Sequence, residues 1–174
     1  LKTTINKPAA DVWQVLATDF DAASQWMAIV PHSYRKPEKP VDSRAPMAGR
    51  ICEFSTNPNG MIADETITAY DDAARSLAIE IQPKNTPPVF PIAKNRVTIE
   101  LVSVSANETE VRWLSEPVLR PLGYVMYPMV RFSFAKTFQS ILEELKFYVE
   151  EGQPHPRKVA AQKKHRLALQ ARAA

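Results

Sequence analysis

Phe134-Ala135-Lys136-Thr137-Phe138-Gln139-Ser140-Ile141-Leu142-Glu143-Glu144-Leu145-Lys146-Phe147-Tyr148-Val149 is the stretch on which the reading of this chain turns. Phe134, Phe138, Ile141, Leu142, Leu145, Tyr148 and Val149 recur three or four positions apart, the period of one helix face. Glu143, Glu144 and Lys146 fall on the opposite face. Gly152 stands where a left-handed C-terminal cap belongs, and Pro154 prevents the helix from continuing. The spacing predicts a helix from about Tyr124 to Glu151, the longest element of the chain. An apolar stripe of that length needs a surface to cover it.

The surface lies upstream, where the period changes from helical to alternating. Leu77, Ile79 and Ile81 alternate with polar or small neighbours, and Val97, Ile99 and Leu101 do the same within Lys94–Val104. Thr109–Glu116 places Val111, Trp113 and Ser115 on one side. Arg50–Thr56 and Met61–Tyr70 read as two further strands joined through Asn57-Pro58-Asn59-Gly60, an Asn-Gly turn signal. Asp71–Ala74 and Ala106-Asn107-Glu108 supply two more turns, and a Pro-rich connection reaches about Ile92.

Earlier still, Leu1–Asn6 alternates as a short strand. Pro8 opens an amphipathic helix with Val12, Trp13, Leu16 and Ala17, and a second short helix covers about Ala22–Met27. Ala28–Ala48 reads as a long loop. Consecutive strands with short turns imply an antiparallel sheet of six to seven strands. With one apolar sheet face and one striped helix, an α+β architecture follows in which the sheet curls around the C-terminal helix. Space left between the two is the natural ligand cavity.

Composition narrows the classes of function. The 174 residues fit one domain, 1–153, followed by a basic segment, 154–174, read as helical or frayed. That segment holds six Lys or Arg and no acid, so residues 1–153 stand at −3 although the whole chain is +3. Nucleic-acid binding by the body is therefore not expected, while the basic tail could touch an anionic membrane or RNA. The one cysteine, Cys52, allows no internal disulfide and suits a reducing, cytoplasmic compartment. The first residue is Leu, which leaves room for a removed leader. No 18-residue apolar run, phosphate-binding glycine loop, Gly-x-Ser-x-Gly elbow or metal-ligand spacing occurs. No metal or cofactor is expected, and the oligomeric expectation is a monomer or weak dimer.

Several segments, taken in order, resemble the SRPBCC superfamily over roughly residues 2–151. Ile5-Asn6-Lys7-Pro8-Ala9-Ala10-Asp11-Val12-Trp13 looks like its opening strand, proline and Val-Trp pair in the first helix. Asp19-Phe20 with Trp26 resembles its second-helix signature. Ala63–Asp71 looks like the third strand of the polyketide cyclase/dehydrase-like branch, and Glu110-Val111-Arg112-Trp113 like a late strand. The resemblance implies a helix-grip fold of the START and pollen-allergen kind, and binding of lipids, polyketides or other apolar metabolites. Members include carriers, enzymes and co-chaperones, so the fold alone does not choose among them.

Candidate residues follow from the expected grip. If Ile67 and Ala69 face inward, so does Glu65, and a hairpin centred on Asn59-Gly60 sets Glu53 opposite Glu65 and Ile51 opposite Ile67. Two carboxylates facing each other in an apolar cavity would share a proton and could act as acid and base, with Tyr34 as a further candidate. The plainer alternative pairs Glu65 with a cation such as Arg112 or Arg131. Trp26, Trp113, Ile67, Ile79, Ile99, Phe134 and Phe138 are expected to line the pocket, with His32, Met126 and Met129 near its mouth. The leading expectation is a binding protein for a small hydrophobic molecule. A metal-free cyclase/dehydratase-type lyase or isomerase and a protein-interaction module are the alternatives.

Overall fold

The computed structural model describes residues 1–173, apart from the side chains of Leu169 and of 171–173. Leu169 of the basic segment therefore lies outside the described side chains.

The chain opens with strand β1, Lys2–Ile5, and helix α1, Ala9–Trp13, which runs on as a π-helical turn through Gln14–Thr18. A 3-10 turn at Phe20–Ala22 leads into the short α2, Ala23–Trp26. Six strands follow: β2, His32–Arg35; β3, Gly49–Glu53; β4, Ile62–Asp71; β5, Ser76–Lys84; β6, Ile92–Ser105; and β7, Glu108–Leu119. Three helices close the chain: α3, Pro121–Val125; α4, Tyr127–Glu151; and α5, Pro156–Ala173. All seven strands form one antiparallel sheet in the order β1-β7-β6-β5-β4-β3-β2. A seven-stranded curved sheet gripping a long C-terminal helix is thus the architecture, as the change of period implies.

The curl has visible causes. Register shifts interrupt the β4–β5 ladder between Ile67 and Ala69, and the β6–β7 ladder near Ala93 and Val104. Each extra residue bends its strand and increases the local twist. The bulge at Thr68 also keeps one face turned inward, because Ala63, Glu65 and Ile67 are buried before it and Tyr70 after it. Across the concave face, Leu77, Val97, Ile99, Leu101 and Val111 pack with Ile5, Val12, Trp13 and Phe20 and with Ile141, Leu142 and Leu145 of α4. Gly152 ends α4 at φ 68°, a left-handed position open to glycine without steric cost.

Two local expectations give way. The segment Ala28–Ala48 is not all loop, because β2 adds an edge strand that holds His32 and Tyr34. The β3–β4 connection is not a tight Asn-Gly hairpin either. Gly60 N–H donates to Asn57 O at 2.8 Å within a wider loop that joins Phe54 to Met61.

α5 is a helix whose first turn is docked on the body. Lys158 is buried and its Nζ donates to Val30 O at 2.7 Å. Arg157 reaches Ser140 O at 3.3 Å and Glu143 at 2.8 Å. Glu144, buried on α4, accepts the Ala28 backbone N–H at 2.8 Å and lies 3.2 Å from Arg157 Nε. Burial pulls the Lys158 ammonium below its ordinary pKa, and the nearby Glu144 carboxylate opposes that shift.

Candidate functional site

Between the concave sheet face and α4 lies a cavity of about 310 Å³, at the small end of the size range of ligand sites. Its walls are almost entirely apolar. Leu16 and Phe20 come from the first helical segment, and Trp26, Met27 and Ile29 from α2 and the turn after it. Ile79 and Ile81 on β5, Ile99 on β6 and Trp113 on β7 form the sheet wall; Phe134, Phe138 and Ile141 of α4 form the roof. Phe90 and Met61 come from the loops at the strand ends. The Trp113 and Phe138 rings meet at 5.7 Å, and Phe134 stands edge-on to Phe138 at 5.6 Å.

Of the residues singled out from sequence, Trp26, Ile79, Ile99, Trp113, Phe134, Phe138 and Glu65 line this cavity. Ile67 is fully buried in the core cluster but does not line it. Met126 and Met129 are not brought to it. They lie at and just inside the start of α4, ahead of Phe134, the first residue of that helix to line the cavity, and Met129 is exposed. His32 and Tyr34 sit on the edge strand β2, exposed to solvent, with their rings 5.5 Å apart.

The paired-carboxylate expectation fails on register. β3 pairs with β4 so that Glu53 faces Ile62, three positions from Glu65, while Arg50 faces Glu65 and Ile51 faces Asp64. A slip by an odd number of residues turns every side chain of a strand to the other face. Arg50 and Cys52 consequently point to the buried side. Glu53 lies on the other, 3.3 Å from His32 Nδ1. Gly49 fixes this register: at φ 151°, a Cβ there would come within 1.9 Å of Glu65 O.

Glu65 therefore meets a cation and no second acid. Arg50 Nε and Nη2 both contact Glu65 Oε2, at 2.9 and 2.8 Å. Arg50 Nη1 donates to Phe20 O at 2.6 Å, and the guanidinium lies 4.0 Å over the Phe20 ring. Burial works against the guanidinium charge, but the charge and hydrogen bonds of its neighbours, Glu65 foremost, together hold Arg50 above its ordinary pKa. The sequence had suggested Arg112 or Arg131 for this role. Arg112 instead pairs with Glu110 on the outer face at 2.8 Å, and Arg131 is exposed. Cys52, beside the pair, has its thiol pushed up to about 12 by burial and then by the Glu65 charge, so it is neutral and inert.

Two further polar groups belong to the wall. Asn95 is buried on β6 in phase with Val97 and Ile99, and its Oδ1 accepts the Ser115 hydroxyl at 3.0 Å. The Trp113 indole N–H is buried and has no acceptor among the described residues. Buried donors are normally satisfied, so the unpaired Trp113 N–H on this wall marks a place for a guest's acceptor atom. Asn95 was legible as a polar residue in step with apolar neighbours on the inward face. Arg50 was not, because its face depends on the register.

Among the described residues no cluster of His, Cys, Asp or Glu could hold a metal ion. No described helix is long and apolar enough to cross a membrane.

A curved antiparallel sheet closed over one long helix, with a cavity between them, defines the helix-grip class. The chain belongs to the family described as polyketide cyclase/dehydrase and lipid transport, whose model matches residues 1–150. No curated protein matches it in sequence. A START superfamily protein from Mycobacterium smegmatis has the same fold, with a TM-score of 0.65 at 14% identity over 87% of this chain and 95% of that one. A conserved protein from Geobacillus kaustophilus gives 0.66 at 8% identity, over 86% and 93%. The di-domain ARO/CYC StfQ from the steffimycin biosynthetic pathway gives 0.57 at 12% identity, over 87% of this chain and 44% of that one. At such identities the likeness concerns the fold. Family and fold are consistent with ligand binding or with cyclase/dehydrase-type chemistry.

Proposed function

We propose that this protein binds a small, largely apolar molecule carrying at least one hydrogen-bond acceptor, such as an aromatic ketone or a related polyketide-like metabolite, and holds it between α4 and the sheet. The observation that carries the reading is the cavity itself: aromatic and aliphatic walls interrupted by the buried Asn95 side chain and the unpaired indole donor of Trp113. Apolar burial supplies the affinity, and the Trp113 donor selects against guests that leave it unpaired.

Carriage is favoured over acid–base catalysis by the state of Glu65. It is the one carboxylate among the described lining residues, and it is committed to Arg50. Proton transfer through it would require breaking a buried ion pair, which costs several kcal/mol.

Equilibrium dialysis with two shape-matched probes tests the reading. 2-Acetylnaphthalene carries a carbonyl where 2-isopropylnaphthalene carries only carbon. The ketone should bind about tenfold more tightly, the worth of one satisfied donor in a dry site. Failure of both to bind up to their solubility limits would remove the cavity-binding proposal. Equal affinity would remove the role of the donor.

A further inference from the structure

Near its N-terminal end the roof helix buries Val130 on one face and leaves another face exposed. Leu122, Tyr124, Val125, Tyr127, Met129 and Phe132 are all exposed, with Val125 at 80%, Phe132 at 72% and Tyr124 at 69%. Contiguous exposed apolar surface of this kind marks an interaction site, whereas single exposed apolar residues mean little. The charge around it is one-sided. From Pro117 to Leu142 the chain has no acidic residue and three basic ones, Arg120, Arg131 and Lys136. None of the three has an ion-pair partner among the described residues, although most other basic side chains of the body do.

The shoulder also adjoins the cavity. Gly123 lies so close to Pro91 that a Cβ would fall 2.3 Å from its carbonyl oxygen, and Arg120 N–H donates to that same oxygen at 2.8 Å. Phe90, beside Pro91, lines the cavity, and so does Phe134, two residues after the exposed Phe132. Val89, next to Phe90, is exposed at 65%.

We propose that the shoulder formed by α3 and the first turns of α4 docks on an anionic lipid surface. Phe132, Val125 and Met129 would enter the acyl boundary, the two tyrosines would sit at headgroup depth, and the three cations would face anionic headgroups. Amphipathic aromatic rings and basic side chains around an apolar face are what a bilayer interface accepts. Each cation near such a surface contributes roughly fivefold to binding. A second copy of this chain fits less well, because a two-fold contact sets the same patch against itself and so sets cations against cations with no acid between them. The proposal is independent of which guest the cavity takes. It places the cavity's loop-lined side toward the lipid, where an apolar guest is most concentrated.

Flotation of the full chain with phosphatidylcholine vesicles, with and without phosphatidylglycerol, tests it. The protein should float with the anionic vesicles and be released by salt. Val125→Asp combined with Phe132→Asp should weaken flotation at least tenfold without moving the thermal midpoint, because both side chains already face solvent. Lys163→Gln with Lys164→Gln on α5 should leave it unchanged. The proposal is overturned by an absence of flotation, by loss of flotation only in the α5 variant, or by a dimer that the double aspartate variant dissolves while vesicle binding stays nil.

Discussion

The two ends of α4 are equally apolar in sequence and fare oppositely in the fold. Toward the C-terminus, Ile141, Leu142 and Leu145 are buried against the concave sheet face, and polar ties lock that end in place. Lys146 Nζ donates to Thr4 O at 2.6 Å, and Glu144 holds the Ala28 N–H. Toward the N-terminus only Val130 is buried while Tyr127, Met129 and Phe132 face solvent, and between the two ends Phe134 and Phe138 hang over open space. Burial is decided by what the strands reach and not by side-chain character. One helix thus serves as core at one end, cavity roof in the middle and free apolar surface at the other.

Truncation should break this contrast most sharply. Leu145→Ala removes a fully buried side chain from the closed end and is expected to cost about 2–5 kcal/mol. Phe132→Ala removes a larger side chain from the open end and should stay within about 0.5 kcal/mol of the parent. Urea denaturation of both variants reads the difference directly. Comparable losses would mean that the shoulder is packed against something, and the free-surface description would fall.

A second, smaller probe uses pH. Cys52 sits on the buried face of β3 beside the Arg50–Glu65 pair, with its thiol at about 12 against an ordinary 9.0. The folded state therefore holds the proton more tightly than the unfolded chain does. Its contribution is complete below about pH 9 and fades as pH rises toward 12, by up to about 1.4 kcal/mol per unit. Urea midpoints measured from about pH 8 to about pH 11 should fall less steeply for Cys52→Ala than for the parent. Parallel slopes would show that the thiol is not held in a dry environment. In the native state the same thiol should resist a disulfide reagent until the chain unfolds.

How much of this was readable in advance follows from the same contrast. The periods of Leu77–Ile81, Val97–Leu101 and Phe134–Val149 name the sheet wall and the roof, because a periodic apolar pattern is local information. Phe138 could be placed on the cavity from those patterns, and Trp113 from the alternation of Thr109–Glu116. The Arg50–Glu65 pair could not, since it depends on how β3 and β4 align, and alignment rests on the wide loop Phe54–Met61 and on the close approach of Gly49 to Glu65. The turn signal at Asn59-Gly60 pointed to a tighter hairpin, and an odd register error exchanged the two faces of β3. The exposed shoulder was unreadable for a related reason. Met126 and Met129 share the composition of the roof, and nothing local says where the sheet ends.

The smallest expected effect is the most discriminating. Trp113→Phe keeps an aromatic ring against Phe138 but deletes an N–H that has no acceptor among the described residues. A buried unsatisfied donor costs on the order of 1–3 kcal/mol, part of which is returned when the donor is removed and part of which is lost again to the smaller ring. Without a guest, the variant should thus be about as stable as the parent, within roughly 1 kcal/mol, while its affinity for 2-acetylnaphthalene falls about three- to tenfold and its affinity for 2-isopropylnaphthalene holds. Stability kept while acceptor selectivity is lost would separate the cavity from the core that surrounds it. A strong destabilisation with unchanged selectivity would instead assign the Trp113 N–H to the closed end, as one more structural bond of the grip.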